Sequence, residues 1–211
     1  MKGLILNNFY SMRDSIKLSL MIAIVANVIL IATKNSTSLQ IAIFLSFVLI
    51  SSNAFEVLKQ DSSSGWSKFE LILPLARYKI VQSKYLTFLL LLVLSLLVTI
   101  GIFAVTSLFI NSSEELILNF IFRGMGFVFC IASIVYPLTY ILGGDKSEVI
   151  RLISMVFSLG VFGLIYFLQL KVMEKTEGFD RIFSLSFLLV SIIFFIISYV
   201  VSIITYKEKE F

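Results

Sequence analysis

The sequence predicts an all-α polytopic membrane protein: six transmembrane helices, an N-terminal interfacial helix, and a short cytoplasmic helix between spans two and three. Three observations predict it. Leu86–Ile110 is a run of 25 residues without a charge. A helix rises about 1.5 Å per residue and a bilayer core is about 30 Å thick, so roughly 20 such residues cross it. Hydrophobic residues make up 59% of the 211-residue chain and charged residues 14%, against about 25% charge in a typical soluble domain. Finally, the apolar runs are continuous, whereas strands of a membrane barrel alternate over about 10 residues. In hydrocarbon every backbone amide must be bonded internally, so continuous runs cross as helices.

The elements follow in order. In residues 1–17, Ile5, Phe9, Met12 and Ile16 recur at helical spacing, with Lys2, Asn7, Arg13, Asp14 and Lys17 in other directions. That pattern suits an elbow helix lying in the membrane interface, or a simple topogenic leader. No cleavable signal sequence is evident. The spans are placed at Leu18–Thr33, Leu39–Leu58, Leu86–Ile110, Gly124–Leu142, Val149–Leu170 and Ile182–Tyr206. Together they make one permease-sized domain over 1–211, with no room for a separate soluble domain. Three connections are short: Lys34–Ser38, Asn111–Glu115 and Lys171–Arg181. Residues 143–148 form a tight turn, and the one long connection is 59–84.

Charge sets the orientation. With the N-terminus inside, the inner face holds Lys2, Arg13, Lys17, Lys59, Lys68, Arg77, Lys79, Lys84, Lys146, Arg151, Lys207 and Lys209. The outer face holds Lys34, Lys171, Lys175 and Arg181, with Arg123 on neither side clearly. This bias predicts that both termini are cytoplasmic. It accounts for the net charge of +4 through anionic lipid headgroups, and nucleic acid is not an expected partner.

Several chemistries are excluded. The chain has no His and a single Cys, Cys130, within an apolar run. It therefore has no means of building a His-dependent triad, a His-ligated metal site or a disulfide. Gly143-Gly144-Asp145-Lys146-Ser147 superficially resembles a phosphate-binding loop, but Asp145 precedes the lysine and no glycine stands at the required earlier position. No catalytic residue, metal or cofactor is expected on this chain.

The inner connection carries the most information. Gln60–Gly65 is a polar turn cluster. Trp66, Phe69 and Leu73 then repeat at helical spacing, with Lys68 and Glu70 between them, and Pro74 ends the helix or opens the next. From Arg77 the chain runs straight into span three.

The segment FELILPLARYKIVQSKYL resembles the inner loop of ABC-2-type transporter permeases, small six-span subunits of bacterial ABC exporters. The resemblance is carried by Leu73, Pro74, Arg77, Ile80, Val81, Ser83, Lys84, Tyr85 and Leu86; Ile72 and Ala76 depart from the pattern. The start MKGLILNNFY and the stretch YPLTYILGGDKSEVIRLI are also similar. The resemblance implies a homo- or heterodimer in the bacterial inner membrane, driven by separate ABC ATPase subunits that hold the ATP and Mg. It implies further that Trp66–Leu73 is the coupling helix, with Trp66, Lys68, Phe69, Glu70, Leu73, Pro74 and Arg77 serving ATPase coupling. Several members export amphipathic peptides or give immunity to them, so a peptide or lipophilic substrate is expected.

Polar residues within the spans are either helix-packing groups or pathway lining: Asn27, Asn53, Glu56, Ser95, Thr99 and Arg123. Arg123 is expected either to snorkel to the outer surface or to face the pathway and pair with Glu114 or Glu115. Tyr136-Pro137 marks an expected kink near the inner end of span four. Two other readings compete. A substrate-binding subunit of an energy-coupling-factor importer needs an Ala-x-x-x-Ala patch in span one, but Ala23 is followed by Asn27 and Ala26 by Leu30. A membrane scaffold or pore former has no need of a structured 26-residue inner connection.

Overall fold

The computed structural model describes residues 2–33, 36–72, 75–107, 114–173 and 178–208. Among these the regular structure is helical: α1 (Lys2–Ser11), α2 (Arg13–Ala32), α3 (Ser36–Ser63), α4 (Trp66–Ile72), α5 (Arg77–Ser107), α6 (Glu114–Leu142), α7 (Ser147–Met173) and α8 (Phe179–Glu208), with a single 3-10 turn at Gly144–Lys146. Among the described residues, five stretches are long and apolar enough to cross a bilayer: Thr37–Ser63, Arg77–Ala104, Glu115–Leu142, Gly144–Val172 and Phe179–Glu208. The sixth expected span corresponds to α2 and is not among them. Its 20 residues carry Arg13, Asp14 and Lys17 in the first turns, so its charge-free stretch starts only at Leu18.

The N-terminal helix is shorter than the expected 1–17. The chain breaks at Met12, and Arg13–Lys17 belong to α2. Of the expected face, Met12 is fully buried while Ile5, Phe9 and Ile16 are half-buried; the buried line on this segment is Leu4, Asn8 and Met12. The polar Asn8 sits on it because its side chain bonds across to α5, as described below.

The expected 59–84 connection is mostly helical. α3 continues through Lys59–Ser63 and ends where Gly65 adopts φ +74, the left-handed conformation that glycine takes without a Cβ penalty. Leu73 and Pro74, the expected end of the coupling helix, lie outside the described residues. Beside the end of α3, α6 stays helical through Pro137, which itself has no N–H to add to the ladder. It ends at Gly143 (φ +87), and the expected tight turn follows. Gly144 is needed there for space, because a Cβ would lie 2.5 Å from Ser62 Cβ and 2.8 Å from the Leu58 carbonyl oxygen.

α6 is the central helix. It packs most extensively on α8, then on α7 and α3, while α2 rests on α3 and α1 on α5. An aromatic cluster fills the middle. Tyr85 stacks on Tyr136 at 4.3 Å between centroids, Phe88 lies 5.2 Å from Phe195, and Phe129 lies 5.1 Å from Phe195. The Tyr85 hydroxyl shares hydrogen bonds with Ser198 (2.7 Å) and Ser202 (2.8 Å) of α8. Outward faces of α2, α5, α7 and α8 carry exposed Leu, Ile, Val and Phe, as lipid contact requires.

The start of α5 and the end of α8 meet, since Arg77 Nη1 donates to the Lys207 carbonyl at 2.7 Å. Asn8 of α1 also reaches α5 there. α1 and the end of α8 therefore lie at one end of the bundle, called here the proximal end.

Candidate functional site

The proximal end holds a buried ionic cluster. Lys84 lies eight residues into α5, between Ser83 and Tyr85, and is 4% exposed. Its ammonium pairs with the Asp61 carboxylate of α3, lies 3.3 Å from Glu70 Oε1 of α4, and donates to Asn8 Oδ1 of α1 at 3.0 Å. Asn8 Nδ2 in turn donates to Thr87 Oγ1 at 3.0 Å, and the Tyr136 hydroxyl of α6 donates to the Lys84 carbonyl at 3.2 Å. One lysine thus joins five helices.

The energetics explain the arrangement. A buried charge without a partner is costly, so ions persist inside only when paired and hydrogen-bonded. Here two carboxylates share one ammonium. Burial pushes the Glu70 carboxyl above its ordinary value; the Lys84 charge pulls the other way, and Asp61 adds repulsion that pushes it further up.

Glu70 fixes how α4 sits. Seven residues are too few to hold a helix by propensity alone. Trp66 Nε1 donates to Glu70 Oε1 at 2.8 Å, and Glu70 faces Lys84. The helix is therefore pinned by its inner face. Its outer face presents Phe69, 49% exposed and 5.1 Å from the Trp66 ring, and Ile72, 78% exposed.

Beside the cluster is a cavity of about 280 Å³, bounded by Asp61, Glu70, Lys84, Tyr140, Asp145 and Tyr206 among others. The Tyr140 and Tyr206 hydroxyls are buried and without a hydrogen-bond partner, their rings 5.2 Å apart. Polar contacts close the rim: Ser62 Oγ donates to Asp145 at 3.0 Å, and Lys59 pairs with Glu148 at 2.9 Å.

The expected coupling residues are thus brought together in part. Trp66, Phe69 and Glu70 share α4, with Lys68 on the same helix; Arg77 instead fastens α5 to the end of α8. The polar span residues do not converge. Asn27 donates to Ser46 Oγ (2.6 Å) and Asn53 to Ser19 Oγ (2.7 Å), so both hold α2 against α3. Thr99 bonds the Ser95 carbonyl of its own helix at 2.8 Å, and Glu56 accepts from Arg151 of α7 at 3.2 Å.

Arg123 lies at the distal end. Its described partner is Asp180 at 2.9 Å; Nε also donates to Ser184 at 2.9 Å. Its guanidinium lies 5.0 Å from the Phe183 ring centroid and 5.6 Å from that of Phe120. The start of α8 turns Asp180 toward α6, whereas Glu115 is exposed and the Glu114 side chain lies outside the description. Arg123→Gln is expected to cost about 1 kcal/mol, since the pair is partly solvated and the aromatic contact weakens. Thermal unfolding in detergent measures it.

The cluster itself was missed by sequence reasoning, which counted Lys84 among orientation-setting surface charges. The signal was available: Lys84 shares a helix face with Ile80, Val81 and Thr87, all buried. A lysine on an apolar face needs a carboxylate opposite it.

No curated protein and no solved structure gives a significant match to the chain. One family does: a family profile described as "ABC-2 family transporter protein" matches residues 3–207. That span takes in the buried cluster, α4 and every helix of the bundle, so the chain belongs to the ABC-2 family of transporter proteins and is a multi-pass membrane protein of ABC-transporter permease type.

Proposed function

We propose that this chain is the permease subunit of an ATP-driven exporter of amphipathic or hydrophobic peptides. Separate ABC ATPase subunits dock on α4 and carry the ATP and Mg. Two permease copies enclose the substrate path, both termini lie in the cytoplasm, and α2 is the first of six crossings in the bacterial inner membrane. The observation that carries the reading is α4: a short helix at the proximal end, anchored inward by Glu70, with Phe69 and Ile72 left facing outward. Family membership supplies the need for a nucleotide-hydrolysing partner. Exposed aromatic and aliphatic side chains on a small, held helix suit a cleft on such a partner, because buried apolar anchors dominate docking energies. The basic residues expected inside include Lys2, Arg13, Lys59, Arg77, Lys79 and Lys146, which fall in or beside the elements of that end. In this reading Glu56 and Arg123, each in a partly exposed ion pair, are the span residues that meet substrate.

The test is co-purification with the cognate ATPase. Phe69→Ala with Ile72→Ala removes the outward anchors and leaves the Glu70 contacts in place. The double variant is expected to reach wild-type levels in the membrane while retaining less than a tenth of the bound ATPase. Wild-type ATPase recovery would defeat the docking assignment.

A further inference from the structure

The cavity beneath α4 contains two features that the docking reading leaves unused. Tyr140 of α6 and Tyr206 of α8 are 7% and 5% exposed, and neither hydroxyl has a partner. Both line the cavity that Glu70 and Asp61 also line. A buried hydroxyl normally finds an acceptor, so a pair of idle donors beside a carboxylate marks an alternative place for that carboxylate to bind. In the resting arrangement Glu70 Oε1 is held by Lys84 at 3.3 Å and by Trp66 at 2.8 Å. Glu70, Lys84, Tyr140 and Tyr206 line the same cavity of about 280 Å³, so the carboxylate and the two phenols border one shared space.

We propose that Glu70 is a two-position latch of the transport cycle. At rest it sits on the Lys84 ammonium; when α4 is displaced it accepts hydrogen bonds from Tyr140 and Tyr206. The step breaks and forms only hydrogen bonds and an ion pair, and Asp61 and Asn8 continue to hold Lys84 while Glu70 is away. The physical basis is discreteness. A buried carboxylate has no stable halfway position in a low-dielectric interior, so two defined partner sets make a bistable element and not a graded one. The first position ties α4 to α5; the second ties α4 to α6 and α8, the pair that packs most extensively in the bundle. A push on α4 would so be transferred from one set of spans to another. Glu70, Tyr140 and Tyr206 are positioning residues in this scheme, which rests on the docking reading above.

The experiment uses the complex of the permease with its ATPase, reconstituted in nanodiscs. Spin labels at Leu116→Cys and Lys171→Cys, in a Cys130→Ala background, report the distal end; distances are measured without nucleotide and with ATP plus vanadate. Tyr140→Phe with Tyr206→Phe removes only two unpartnered hydroxyls. This variant is expected to keep the resting distance and a melting temperature no lower than wild type, while losing at least two thirds of the nucleotide-driven distance change. Glu70→Gln keeps an acceptor for Trp66 and removes the charge; it is expected to retain the ATPase and to lose the same change. A full distance change in the tyrosine double variant overturns the latch, as does a lowered melting temperature, which would mean the hydroxyls had resting partners. Absence of any change in the wild type with ATPase bound also overturns it. Failure of the wild type to bind the ATPase is a different outcome, and removes the docking reading together with the latch.

Discussion

Lys84→Met is expected to destabilise the protein by about 3–5 kcal/mol, the usual cost of removing one member of a buried ion group. The methionine fills similar volume, so packing is little changed. What remains is two carboxylates, Asp61 and Glu70, both buried and no longer facing a cation. Asn8 also loses the donor to its carbonyl oxygen and keeps only its bond to Thr87. The measurement is thermal unfolding in detergent, with the amount inserted in the membrane as a second readout. A triple variant separates charge from shape. Asp61→Asn, Glu70→Gln and Lys84→Met together remove all three charges, and stability should return to within about 1.5 kcal/mol of wild type, because replacing a whole buried ion group is often neutral. A triple variant as unstable as the single one would mean that hydrogen-bond geometry, and not charge balance, governs this region.

Gly126→Leu is expected to cost about 3 kcal/mol, the upper end of the overpacking range, with Gly126→Ala intermediate. Gly126 lies on α6 where it meets α8. A Cβ there would stand 2.7 Å from Phe187 Cδ1 and 3.3 Å from the Leu188 Cα. Phe187 is fully buried and packs against Phe162 at 5.1 Å and Phe183 at 6.4 Å, so its ring has nowhere to retreat. The Leu188 contact is backbone and yields only if α8 moves. Overpacking typically costs about 1–3 kcal/mol, and between membrane helices close packing is itself the main attraction. Gly160→Leu is the control, because a Cβ at Gly160 meets nothing within 4 Å. An equal loss at both positions would show that α7 is covered by another chain.

Much of this protein was legible as sequence. Length and continuity of the apolar runs placed α3, α7 and α8 to within about five residues at each end, since a bilayer imposes a length that composition alone reveals, whereas α5 and α6 begin nine and ten residues before the spans expected for them. The turn at Gly143-Gly144 and the short helix beginning at Trp66 followed from residue chemistry, and the motif around Leu73–Leu86 pointed to the family. Two things were misread for one reason. Lys59–Ser63 looked like the start of a loop, because Lys, Gln, Asp and Ser read as solvated. Lys84 looked like a surface charge. In both cases the deciding partner lay far along the chain: Asp145 and Glu148 for the end of α3, and Asp61 and Glu70 for Lys84. The Asp180 partner of Arg123 was likewise too distant in sequence to be read there.

The solvent of this protein and its division into helices follow from hydrophobicity summed along a run, a local quantity that the residue order carries. Which polar groups are paired, which face of α4 is free, and where two tyrosine hydroxyls stand idle became visible in the folded chain alone. Those depend on atoms brought together from residues tens of positions apart, and a charge shows its role only once the group opposite it is known.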